Sequence, residues 1–165
     1  MRSSDVPRLV AALREPIETF VRESRVRMAI LITGSGQVLA QHGFTSGYEV
    51  MNVASLAAAT HASSGALADL LQSGPWNHLH HAGARSQLFL ATLEIPEDKL
   101  ILVVVFDTDA STLGLVQFFF SQLASRVAQL PELQKVQKAA DARSFERDLE
   151  AGLQRVFSTE SRNEA

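Results

Sequence analysis

"SQLFLATLEIPEDKLILVVVFD", Ser86 to Asp107, settles the fold class. Two strand-forming runs flank "IPED", a turn that closes a hairpin. The second run, "KLILVVVFD", is apolar on both faces, which marks a central strand covered on two sides. Such a strand requires elements packed over each face of its sheet.

The neighbouring segments supply them. "VRMAILIT", Val26 to Thr33, places Val26, Met28, Ile30 and Ile32 on one face at period 2. "GSG" makes a tight turn, and "QVLAQHG" returns as a second strand. Because this glycine pair precedes a strand and not a helix, a phosphate-loop reading is disfavoured. Leu9, Leu13, Ile17, Phe20 and Val21 recur at helical spacing, giving a first helix over about residues 5–24 with a kink or restart expected at Pro16. An alanine-rich run from Tyr48 to Ser73 reads as a second helix. A shorter strand is expected between Trp76 and Gly83. Leu113, Val116, Phe119, Phe120, Leu123, Val127 and Leu130 form the stripe of a third helix ended by Pro131. The order α-β-β-α-β-β-β-α predicts an α+β sandwich, a five-stranded antiparallel sheet flanked by helices.

Beyond Pro131 the composition turns polar. Residues 1–131 read as one domain, 132–143 as a polar linker and 158–165 as a disordered tail. Residues 144–157, "SFERDLEAGLQRVF", carry Phe145, Leu149, Leu153, Val156 and Phe157 on one helical face, with Ser144 as cap. Such a tethered amphipathic helix is a clip onto its own domain or a docking element for a partner.

Bulk properties restrict function. The chain has 165 residues, 46% apolar, enough for one core. Its net charge of −3 gives no basic field for nucleic acid. It has no cysteine, hence no disulfide or thiolate chemistry, which fits a cytoplasmic protein. No signal-like or membrane-spanning run is present, so no membrane insertion is expected.

The second helix carries the most unusual signal. From Val50 to Ala68 it has no Asp, Glu, Lys or Arg. Val53, Leu56, Leu67 and Leu71 group on one side, the expected sheet-facing stripe. Ala54, Ala58, Ala62, Gly65 and Ala66 lie opposite, with Asp69 at the end. A smooth, uncharged face costs little to desolvate and lets another backbone approach closely, so the small-residue side is expected to meet another chain. Leu115 and Phe118, off the core stripe of the third helix, add to that expectation.

Chemistry of the chain's own is weakly signalled. "WNHLHHAG", Trp76 to Gly83, holds three of five histidines. His78 and His80 share a strand face, but no third ligand is nominated for a metal. Asp107 lacks a catalytic partner and reads as a cap or turn anchor for the third helix. No catalytic residue, metal or cofactor is expected.

The element order, "GSGQVLAQHG", "VASLAAATHASSGALADLL", "HAGARSQLFL" and "VVVFDTDASTLGLV" together resemble the Roadblock superfamily, over roughly Val26 to Leu130, and within it the bacterial MglB type. The resemblance implies a profilin- or longin-like sheet and a homodimer built through the second helix and third strand. It also implies action on a Ras-like small GTPase of MglA type, whose GTP hydrolysis such dimers accelerate without an arginine finger, in cell polarity and gliding motility. The alternative is a scaffold that binds such a partner without affecting hydrolysis. Carried onto this chain, it assigns partner contact to Ala58, His61, Ala62, Gly65, Ala66 and Asp69, and to Leu149, Leu153 and Phe157 of the terminal helix, which the family links to nucleotide exchange. It assigns the dimer seam to Ala54, His78, His80 and His81, and location to the cytoplasm, with a cell pole reached through partners.

Overall fold

The computed structural model describes residues 6–43, 47–96 and 98–134. In chain order it has α1 (Val6–Ser24), β1 (Met28–Thr33), β2 (Val38–His42), α2 (Gly47–Leu70), β3 (His78–Ala82), β4 (Ser86–Ile95), β5 (Asp98–Asp107) and α3 (Leu113–Ala128). The strands form one antiparallel sheet in the order β2-β1-β5-β4-β3. The α+β architecture expected from the sequence is present.

β5 is central, with β1 on one side from Met28↔Val105 to Thr33↔Leu100 and β4 on the other from Ser86↔Asp107 to Ile95↔Asp98. Alternation divides its apolar residues between two layers. Leu100, Leu102, Val104 and Phe106 join Ala29 and Leu31 beneath α1 and α3, against Leu9, Leu13, Ile17, Phe20, Val116, Leu123 and Val127. Ile101 and Val103 join Met28, Ile30 and Ile32 beneath α2. Each fully buried Ile, Leu or Val contributes about 1.5–3 kcal/mol, so this twice-covered pair is the main source of cohesion.

The connections explain the departures from periodicity. α1 runs unbroken through Pro16, without the expected restart. Pro16 is buried, and Leu9 and Leu13 before it and Ile17 and Phe20 after it hold the helix to the core despite the missing N–H. α1 ends at Arg25, in the left-handed region at φ 56°. That reversal changes the phase of the chain, so Val26 joins the α1/α3 layer and not the Met28–Ile30–Ile32 face. Ser111 Oγ donates to the Ser24 carbonyl at 2.5 Å, tying the end of α1 to the start of α3. The cap of α3 is Thr112, whose side chain accepts from Leu115 N at 3.3 Å, and not Asp107. The Asp107 carbonyl instead accepts from the amides of Ala110 and Ser111. Residues 131–134 are helical again and Leu133 is buried with the α1/α3 layer. The rest of the linker, the amphipathic segment and the tail lie outside the described residues.

α2 departs in part from the expected orientation: Val53 packs on the sheet and Ala62, Gly65 and Ala66 are exposed as expected, but the leucines and the first-half alanines exchange places. Val50, Ala54, Ala57 and Ala58 face the sheet, Ala54 fully buried, whereas Leu56 is 70% and Leu71 61% exposed. The sheet face beneath is already filled by Met28, Ile30, Ile32, Ile101 and Val103, so only methyl-sized side chains let the helix settle onto it. Ala54→Leu forces bulk into that contact, with an expected loss of about 1–3 kcal/mol in stability. Urea unfolding of the purified protein measures it; an unchanged midpoint would place Ala54 on the outside.

Candidate partner interface

Only the first half of α2 is seated. Beyond Ala58, Ala68 alone is buried and His61 and Ser64 are half-buried; Ala62, Ser63, Gly65, Ala66, Leu67, Asp69 and Leu70 are exposed. The overhang has two distinguishable flanks. The β1–β2 turn comes up against one: a Cβ on Gly36, at φ +85°, would lie 3.5 Å from the Ala58 Cβ and the Ser55 Cα. Helical spacing continues that flank through Ala62 and Ala66. Val53, Thr60, Ser64, Leu67 and Leu71 follow the opposite flank, toward β3, with Leu56 between that flank and the outer face.

Beneath the overhang runs a groove of about 150 Å³. It is lined from α2 by His61, Ser64 and Asp69, from the following loop by Trp76, and from the strands by Leu79, Leu90, Thr92, Glu94 and Lys99. His61 Nε2 and Thr92 Oγ1 are hydrogen-bonded across it at 2.8 Å. Burial, and secondarily the Lys99 ammonium, hold the His61 pKa below the usual histidine value. Lys99 also pairs with Glu94 at 3.2 Å, both largely exposed.

β3 borders this groove and, among the described residues, is an edge strand paired with β4 alone. Leu79 faces the α2 side. His78 and His80 point to the other side, where their rings lie 5.8 Å from Phe89 and 6.4 Å from Phe106. His80 Nε2–H donates to Gln87 Oε1 at 2.6 Å, so this imidazole is packed and hydrogen-bonded like a core residue. Among the described residues no three His, Asp or Glu side chains converge as a metal would require.

The sequence-derived assignments divide accordingly. Ala62, Gly65, Ala66 and Asp69 are on the surface of the overhang. Ala54 and Ala58 are not available to a second chain, because both lie between α2 and the sheet. His61 is half-buried and turns inward, hydrogen-bonded to Thr92. His78 and His81 are exposed on β3 and His80 is half-buried, the rings of His78 and His80 lying near Phe89 and Phe106. Leu149, Leu153 and Phe157 lie outside the described residues. Sequence reasoning missed Thr92, Lys99 and Trp76, and placed Leu56, Leu67 and Leu71 inside. The available signal was the recurrence of Val50, Ala54, Ala57, Ala58 and Ala68 at helical spacing opposite a sheet of bulky residues.

With this geometry in place, the Roadblock/LC7 domain pattern matches residues 14–106. Among solved structures, MglB of Myxococcus xanthus superposes with a TM-score of 0.65 at 22% identity, over 73% of this chain and 87% of its own. The gliding protein MglB of Thermus thermophilus gives 0.62 at 26% identity, over 82% and 95%. An MglB with a tetrameric arrangement gives 0.63 at 27%, over the same shares. No curated protein matches the chain.

The edge strand depends on the turn that returns it. A Cβ on Gly83 would collide with the Ser86 carbonyl oxygen. Gly83→Ala is therefore expected to cost about 1–3 kcal/mol and to displace β3. A thermal midpoint lowered by several degrees checks it, with amide exchange localising the damage to residues 78–87.

Proposed function

Because the chain belongs to the Roadblock/LC7 domain family, we propose that it works as a homodimeric regulator of a Ras-like small GTPase of MglA type, accelerating GTP hydrolysis. The observation that carries this reading is the overhanging second half of α2, without charge up to Ala68, beside the edge strand β3. Exposed leucines at that density on a water-soluble domain call for a covering chain.

The two flanks suit two partners. The flank with Thr60, Leu67 and Leu71 adjoins β3, so a twin joined at that edge covers it and continues the sheet, with each copy offering the same patch. The flank with Ala62 and Ala66 then stays free for the GTPase, with Gly65 and Asp69 at its inner margin over the groove. Its small side chains allow close backbone approach. Leu149, Leu153 and Phe157 of the terminal segment supply a second contact, related to nucleotide exchange. The chain needs no catalytic residue of its own for this. Phosphoryl transfer is mainly positioning and charge stabilisation, and a docked surface that orders the partner's switch segments supplies positioning. The reading places the protein in the cytoplasm, at a cell pole when its partners are there, in polarity and gliding motility.

Two arginine substitutions separate the flanks. Leu67→Arg is expected to give a monomer in sedimentation. Ala62→Arg is expected to stay a folded dimer and lose the complex with a GTP-loaded MglA-type GTPase. Wild-type dimer is expected to raise phosphate release by more than about tenfold, equivalent to about 1.4 kcal/mol of barrier. Binding without any rise selects the scaffold reading. Full binding and stimulation by Ala62→Arg puts the GTPase elsewhere.

A further inference from the structure

We infer that His61 and Thr92 are positioning residues that hold the overhanging half of α2 in its docking geometry, and that protonation of His61 releases it. The inference builds on the partner-binding reading above, since residues 62–70 carry both flanks.

The hydrogen bonds of α2 single out His61. Ser55, Thr60, Ser63 and Ser64 all return their hydroxyls to the helix itself, donating to the carbonyls of Met51, Leu56, Ala59 and Thr60. Among the described residues, the bond from His61 to Thr92 is the one side-chain hydrogen bond that leaves α2 for the sheet. Apolar contact does little to replace it, because past Ala58 only Ala68 is buried and a groove opens below. The second half of the helix is therefore held to the sheet at His61 and, through Ala68, near its end.

A charge on His61 works against that hold. In the seated position the ring is half-buried and shares the groove with Lys99 of β5. Glu94 of β4 and Asp69 of α2 also line the groove; His78 of β3 borders it, with its ring turned to the opposite face of the sheet toward Phe89 and Gln117. Glu94 is engaged by Lys99, and Asp69 sits at the exposed helix end. Burial and Lys99 together make the neutral ring the favoured form. A group whose folded-state pKa is depressed in this way, being a base, stabilises the seated helix fully above its ordinary value near 6.5 and less as pH falls through the lower folded value.

The test is amide exchange of the full chain at pH 7.5 and 5.5, expressed as protection relative to intrinsic rates, with sedimentation of the same samples. Wild-type protein is expected to lose protection over residues 62–70 at pH 5.5 while the core strands keep theirs. His61→Gln keeps a neutral hydrogen-bonding group and is expected to abolish that pH response. Lys99→Met is expected to move its midpoint to higher pH. Thr92→Val is expected to lower protection there about 2- to 12-fold at pH 7.5, the net value of one hydrogen bond, with Thr92→Ser restoring it. Protection that is independent of pH in wild type, or a wild-type response surviving in His61→Gln, overturns the inference; the latter assigns the response to another group such as His78. A wild-type chain that is monomeric at pH 7.5 removes the dimer reading instead, and the exchange data still judge His61.

Discussion

Double burial of the β1–β5 pair is the constraint from which the rest follows. A strand apolar on both faces must be roofed twice, and the described residues supply three helices with which to do it. Two of them, α1 and α3, share one face and are tied together where Ser111 bonds to the Ser24 carbonyl. The other face is left to α2 alone. One helix can cover only part of a five-stranded sheet, so Leu79 and Leu88 near the β3 edge remain only partly buried. The interaction surface is thus a consequence of unequal roofing.

The same constraint decides how α2 sits. The side chains of β1 and β5 occupy the interlayer space, and the helix answers with Val50, Ala54, Ala57 and Ala58. Its larger residues are displaced outward, to Leu56, Leu67, Leu70 and Leu71. In an isolated domain this arrangement wastes apolar area that burial would otherwise convert into stability. The proposed assembly would give these leucines a cover. The burial pattern of α2 and the proposal of a twin at β3 therefore rest on one packing argument.

Much of this was legible in the chain itself. The central hairpin was evident because "KLILVVVFD" has no polar face, and the third helix because its stripe from Leu113 to Leu130 admits one orientation. α2 was legible as a helix but not in its rotation. With neither face charged, periodicity alone does not say which side goes in, and ranking by size put the leucines inside. What decides is complementarity with the facing strands, a property of two elements at once. The phase of Val26 and the cap at Thr112 escaped for a related reason, since each depends on a local backbone reversal or turn and not on residue pattern. The groove pairing of His61 with Thr92 joins residues 31 positions apart and leaves no mark in either local sequence.

The docking role proposed for α2 raises a specificity problem. Without charges between Val50 and Ala68 it cannot reject wrong partners by unpaired or repelling groups, the usual means of discrimination. Shape must serve instead, and shape discriminates only when the surface is held in one place, because a loose surface adapts to many partners and loses affinity to each through ordering. A helix half seated on alanines and half cantilevered over a groove is poorly fixed by apolar contact alone. Fixing it requires a directional interaction at the root of the overhang, and a hydrogen bond satisfies that need where another methyl contact does not. The position of His61, one turn beyond the last seated alanine of the first half and turned inward, is where such a brace has the greatest leverage on both flanks.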